Sequence, residues 1–210
     1  MKIVTENLGK RFNREWIFRN FSHIFETGKR YAITGPNGSG KSTLMQVLWG
    51  QMQPSTGAIS YFPTPHDVHA PIEQINPSDL FKRVAIAAPY MDLIEEFSLP
   101  EMIRFHFKFK TCRLPLDLLI DKINLPANPS KPISQYSSGM RQRLKLGLAF
   151  YSKADFLFLD EPCTNLDQAS AQWYHDQLSE VPTDTITFIA SNLEHEYASA
   201  DFKINIFDYK

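Results

Sequence analysis

Three observations predict an α/β fold with a mostly parallel sheet at its core, an N-terminal antiparallel β subdomain and a helical insert. First, the run Gly35-Pro36-Asn37-Gly38-Ser39-Gly40-Lys41-Ser42-Thr43 lies between the apolar stretch Tyr31-Ala32-Ile33-Thr34 and the helix-forming Leu44-Met45-Gln46-Val47-Leu48. That is the strand, loop and helix order of a phosphate-binding loop. Second, short apolar strands alternate with helical segments from residue 156 onward, the rhythm of parallel strands joined by crossovers. Third, apolar residues between Leu99 and Leu125 fall at helical spacing (Ile103, Phe107; Leu116, Leu119, Ile120, Ile123), which marks the insert.

Residues 1 to 34 read as short strands that turn at Asn13-Arg14 and Thr27-Gly28-Lys29 and lead into the strand before the phosphate loop. After the first helix, Gln53-Pro54-Ser55-Thr56-Gly57 predicts a turn. Residues 60 to 80, which carry four prolines, predict irregular surface structure. Val84-Ala85-Ile86-Ala87-Ala88 then predicts a buried strand. The insert ends in Pro126-Ala127-Asn128-Pro129-Ser130-Lys131-Pro132, and a further helix starts near Ser138. A strand (156–159), a helix (about 169–180), a strand (186–190), a helical turn (194–198) and a last strand (203–207) complete the chain. There are no internal repeats and no low-complexity tract.

Composition bounds the function. With 210 residues and 43% hydrophobic content, the chain can bury one substantial core. Its net charge of -1 supplies no general attraction for nucleic acid or anionic lipid. The aromatic-basic run Arg104-Phe105-His106-Phe107-Lys108-Phe109-Lys110 has helical spacing that buries some rings and leaves charges solvated, so no nucleic acid is expected as a partner. The two cysteines, Cys112 and Cys163, are far apart, and the start meets an acidic residue at Glu6, unlike a secretory leader. The cytoplasm is the expected compartment. No apolar run approaches the roughly 20 residues needed to cross a bilayer.

The chemistry begins at the phosphate loop. Its glycines, Gly35, Gly38 and Gly40, let the backbone turn successive N–H groups toward phosphate oxygens, and the helix starting near Gly40 adds the positive end of its dipole. Lys41 is expected to reach the β and γ phosphates and Ser42 to ligate magnesium. Phe156-Leu157-Phe158-Leu159-Asp160-Glu161-Pro162 places two acids at the carboxyl end of an apolar strand, where doubly wound sheets present ligands. Asp160 suits the magnesium shell. Glu161 is a general base or orients the attacking water. These residues therefore predict a nucleoside triphosphate and Mg2+ as cofactors.

Tyr136-Ser137-Ser138-Gly139-Met140-Arg141-Gln142-Arg143-Leu144 resembles the signature motif of the ATP-binding cassette family, and Thr164-Asn165-Leu166-Asp167 resembles its D-loop. Phosphate loop, signature, acidic strand and D-loop occur in the family's order, so the resemblance spans essentially the whole chain. It implies that the nucleotide is ATP, and it implies one domain over 1–210: a P-loop NTPase core (about 1–88 and 144–210) with a helical subdomain (about 89–143) that carries the signature motif. Ser137 and the N–H groups at Ser138 and Gly139 cap a helix start and form a second anion site. In the family this site closes over the γ-phosphate held by a partner's loop, so the resemblance implies a second such subunit, as homodimer or heterodimer. It likewise implies that Asp167 belongs to the nucleotide site. Phe12 lies where the family usually carries an aromatic that stacks on adenine, with Trp16 a rival for that role.

The resemblance also exposes departures. Where the family has its Q-loop glutamine, after the strand ending near Ala88-Pro89, this chain has Tyr90. Where the switch histidine should follow Ser191, it has Asn192, which can donate a hydrogen bond to a γ-phosphate but carries no charge. His195 reads as a solvated helix residue. In the signature, Tyr136, Ser138 and Met140 replace the usual leucine, glycine and glutamine. The region Tyr90 to Phe109 is expected to form the groove for a coupling helix of a transmembrane permease, with Met91, Leu93, Ile94 and Phe97 as contacts. The function implied is ATP hydrolysis by the ATPase subunit of a transporter, peripheral on the inner face of the cell membrane. The competing reading is a non-transport, nucleotide-gated clamp or regulator with slow turnover.

Overall fold

The computed structural model describes residues 1–63, 74–76, 79–125, 128 and 130–210. The N-terminal strands β1 (Lys2–Phe12) and β2 (Glu15–Glu26) form an antiparallel hairpin closed at Asn13, whose φ of 52° suits the tight turn. Strand β4 (Thr56–Phe62) pairs along the other side of β1, giving the order β2-β1-β4. This corrects two expectations, since Thr56-Gly57 and Ser60–Phe62 are strand rather than turn or irregular structure. The cause is tertiary: Tyr61 is buried, and its hydroxyl donates to the Leu48 carbonyl (2.9 Å), which anchors β4 to the first helix. Gly57 tolerates the close approach, because a Cβ there would lie 2.3 Å from the Glu6 carbonyl oxygen. The remainder of the predicted irregular stretch includes residues 64–73, 77 and 78, which lie outside the described residues. The short helix α2 (Leu80–Arg83) follows it.

The second sheet is wholly parallel, in the order β5-β6-β7-β3-β8, formed by Val84–Ala87, Phe156–Asp160, Ile186–Ser191, Arg30–Thr34 and Phe202–Asn205. Every residue of β6 and β7 is buried, as expected for strands covered on both faces. Their period of two sorts the side chains. Tyr31, Ile33, Phe156, Phe158 and Phe188 pack toward the antiparallel sheet and helix α1 (Lys41–Leu48), with Phe158 and Phe188 stacked at 4.7 Å. Ala32, Leu157, Leu159 and Ile189 pack on the opposite face beneath α5 (Ser138–Tyr151) and α6 (Gln168–Ser179).

The predicted insert contains two helices, α3 (Leu99–His106) and α4 (Leu116–Ile123). A capping box between Ser98 and Glu101 starts α3, and Pro115 at the N-cap position restarts the helix at α4. Residues 126, 127 and 129 of the proline-rich stretch lie outside the described residues. The expected limit at residues 143/144 falls inside α5, so one helix is shared by the insert and the parallel sheet. The final strand is Phe202–Asn205 rather than 203–207. Asn205 accepts a hydrogen bond from the Phe207 N–H (3.1 Å) and caps a 3-10 turn over Ile206–Tyr209.

Candidate active site

Parallel strands bring the chemical residues to one edge. β7 lies between β6 and β3, with Asp160 in register with Ala190 and Thr34 with Ser191. Gly35, Glu161 and Asn192 therefore leave adjacent strand ends together, at the carboxyl side where open α/β sheets bind ligands.

The phosphate loop is shaped by φ angles of 144°, 77° and 106° at Gly35, Gly38 and Gly40. Gly40 also faces β2, where a Cβ would lie 2.4 Å from Ile17 Cγ2. No side chain caps α1, so its first N–H groups face the loop. Pro36, Asn37 and Gly38 are exposed, and Ser42 and Thr43 are half-buried on the first turn of the helix. Lys41, buried to 4% exposure, donates from Nζ to the Gly35 carbonyl (2.9 Å) and the Pro36 carbonyl (3.2 Å). Lys210 Nζ donates to the Ser39 carbonyl (2.7 Å), an anchor that sequence reasoning missed because 171 residues separate the pair. Ser39 Oγ is buried without a hydrogen-bond partner.

Asp160 is 1% exposed, and neither carboxylate oxygen has a donor at full hydrogen-bond distance and angle, although the Ser42 and Tyr90 hydroxyls lie near it. Burial, reinforced by the charge of Glu161, raises its pKa, while the hydroxyls of Ser42 and Tyr90 and the Lys41 ammonium oppose that rise. A buried carboxylate so poorly compensated is costly unless a cation joins it. The Asp160 carboxylate beside the Ser42 hydroxyl is an all-oxygen set of the kind hard divalent cations take, so Mg2+ fits these residues.

Glu161 turns the chain out of β6 with φ 46°, a rare conformation for a non-glycine residue. Its N–H donates to the Ala190 carbonyl (2.8 Å) and its carbonyl accepts from Thr164 N–H (3.1 Å). Asn192 is exposed directly after buried Ser191. Tyr90 reaches the same place from the end of β5. Burial and the neighbouring Asp160 charge raise its pKa, which the nearby Gln46 side chain partly opposes. Phe12 is 45% exposed at the hairpin tip with Lys10 Nζ 5.3 Å above its ring. Trp16 is half-buried and pairs with Arg11.

The signature turn opens α5. Ser137 Oγ accepts from Met140 N–H (3.2 Å), while Ser137 and Ser138 stay exposed. Gly139 admits Asn165, whose carbonyl oxygen would lie 2.6 Å from a Cβ there. Asp167 caps α6 by accepting from Ser170 N–H (2.8 Å), which lowers its pKa.

The sequence profile of the ABC transporter family matches residues 18–164. The chain is 30% identical over 193 residues to the uncharacterized ABC transporter ATP-binding protein YybJ of Bacillus subtilis, covering 90% of this chain and 84% of that protein. It is 27% identical to the lantibiotic transport ATP-binding protein SrtF of Streptococcus pyogenes, over 89% of this chain and 78% of that one. Against the spermidine/putrescine import ATP-binding protein PotA of Fusobacterium nucleatum the identity is 29%, over 77% of this chain but 42% of PotA. A solved ABC transporter ATP-binding protein of Pyrococcus furiosus, at 18% identity, superposes over 100% of both chains with a TM-score of 0.81 and shares the fold. Fold and site thus define an ATP-binding ATPase. This chain belongs to the ABC transporter family as an ATP-binding subunit, the class that hydrolyses ATP to power transport. The clamp reading draws no support from these relatives. Among the described residues, no helix is long and apolar enough to cross a membrane.

Proposed function

We propose that this subunit binds MgATP on the Gly35–Thr43 loop and hydrolyses it with Glu161, in a site completed by Ser137, Ser138 and Gly139 of a second subunit. The observation that carries this reading is Asp160, a buried carboxylate whose desolvation the Ser42 and Tyr90 hydroxyls and the Lys41 ammonium only partly offset. The loop N–H groups and the α1 N-terminus bind the phosphates. Lys41, which spans the loop through the Gly35 and Pro36 carbonyls, exchanges those contacts for β- and γ-phosphate oxygens. Ser42 and Asp160 would hold Mg2+, which would supply positive charge against the phosphates. Glu161 orients the attacking water and accepts its proton, and Asn192, on the adjacent strand end, donates to the γ-phosphate. Phe12 offers an exposed ring for the adenine, and Asp167 holds the start of α6 against the joint between subunits.

The partners in this reading are a second ATPase subunit and a separate transmembrane permease, with the subunit peripheral on the cytoplasmic face. A cleft of about 500 Å3, lined by Trp49, Phe81, Tyr90, Met91 and Lys110 among others, supports permease docking. Phe81 and Met91 expose apolar surface there, whereas Leu93, Ile94 and Phe97 pack half-buried against the insert. Tyr90 joins that cleft to Asp160, so permease movement reaches the metal site through one side chain. In this arrangement residues 1–88 and 144–210 form the nucleotide core and 89–143 the coupling subdomain.

The test is ATPase measurement on the reconstituted transporter with Glu161→Gln, which should lower kcat by roughly a hundredfold or more while ATP binding persists. Full turnover in that variant would remove Glu161 from the chemistry. Asn192→His should preserve or raise the rate, because it restores a charged donor, whereas complete loss would mean that Asn192 serves a differently built site.

A further inference from the structure

Behind the strand ends lies a second group of ligating side chains. Cys163, His195 and Glu196 place one sulfur, one imidazole nitrogen and one carboxylate oxygen within 4.8 Å of one another. The cysteine follows β6, and the other two residues lie in the 3-10 turn Glu194–Tyr197 after β7. Glu196 is 1% exposed. One of its oxygens, Oε1, accepts from the Cys163 N–H (3.2 Å); Oε2 has no donor at full hydrogen-bond geometry, although the Ser191 hydroxyl lies near the carboxylate. A buried carboxylate so incompletely compensated is a costly arrangement that a cation would relieve.

We propose that Cys163, His195 and Glu196 form a site for a thiophilic divalent cation of the zinc class, distinct from the Mg2+ position at Asp160 and Ser42. Thiolate and imidazole select zinc or cobalt over magnesium or calcium, which prefer oxygen alone. A tetrahedral zinc with sulfur at about 2.3 Å and nitrogen at about 2.0 Å spaces its ligand atoms roughly 3.5 Å apart. The three atoms must draw somewhat closer than 4.8 Å to reach that spacing, and exposed His195 has room to move. Three protein ligands leave a fourth position for water.

Burial and the Glu196 charge push the Cys163 thiol up to about 12, so the sulfur stays protonated without metal. When the sulfur–metal bond forms, the S–H proton passes to solvent, which makes binding weaken as pH falls. The ion would fasten the turn that follows Glu161 to the turn that follows Asn192. It would thus hold two segments of the nucleotide site at a fixed separation.

The experiment loads the purified full chain with Co2+ in excess Mg2+ and records metal stoichiometry and the thiolate-to-cobalt charge-transfer band. One ion per chain with that band is expected, unchanged in Cys112→Ser and Asp160→Asn. Cys163→Ser should abolish the band. His195→Ala, at an exposed position that leaves the fold intact by circular dichroism, should weaken Co2+ binding about tenfold or more. Absence of the band, its survival in Cys163→Ser, unaltered affinity in His195→Ala, or loss of the ion in Asp160→Asn would each overturn the assignment.

Discussion

At the residue scale, stability is given up where chemistry is performed. Asp160 is buried, and its desolvation outweighs the help of the Ser42 and Tyr90 hydroxyls and the Lys41 ammonium. Asp160→Asn should therefore raise unfolding free energy by about 1 kcal/mol in the absence of nucleotide, because it removes an uncompensated charge. The same variant should lose the extra stabilisation that Mg2+ adds to bound ATP. Urea unfolding with and without MgATP measures both effects. Glu161 adds backbone strain at φ 46°, of order 1 kcal/mol. Glu161→Gly should recover about that amount and Glu161→Gln none of it, while both remove hydrolysis. Equal stability of the two variants in urea would show that the backbone is unstrained. The loop glycines and both acids were legible because each sits at an apolar strand end. The partner of Lys210 and the Cys163–Glu196 contact were not, since those pairs are remote in sequence.

At the element scale, α3 shows how packing changes a residue that sequence reading leaves among solvated charges. His106 is half-buried against Ser152, with its ring nitrogen 3.0 Å from the hydroxyl, and desolvation, helped by the Lys110 charge, lowers its pKa to about 4. Below about pH 6.5 the unfolded chain binds a proton that the native histidine refuses until about pH 4. Its contribution is thus fully present above pH 6.5 and is lost by about 3 kcal/mol as pH falls to 4. His106→Gln should flatten the stability profile in that window, as read from urea midpoints between pH 7.5 and 4.5. If the profile keeps its slope, other groups cause it. Strands with continuous apolar runs, such as β6, declared themselves in sequence. Strand β4 did not, because Thr56-Gly57 carry turn chemistry and only pairing with β1 decides their conformation.

At the scale of the whole molecule, the proposed site treats the exposed signature turn at Ser137 and Ser138 and the phosphate loop as two half-sites. If they join across two subunits, ATPase activity per subunit should rise with subunit concentration in the isolated protein until dimers saturate. A rate per subunit that is independent of concentration, in the range where the chain sediments as a monomer, would show that one subunit suffices.

By itself the sequence determined the phosphate loop, the acidic strand end, the signature turn and the alternation that makes the main sheet parallel. All of these are local, being set by glycine freedom, helix capping and the period of apolar residues. Only the tertiary structure decided that β4 joins β1, that Tyr90 faces Asp160, that His106 packs against Ser152 and that Cys163, His195 and Glu196 converge. Those arrangements depend on which surfaces meet when the sheet closes beneath its helices. Burial then fixes charge, titration and ligand preference in ways that no neighbouring residue in the chain announces.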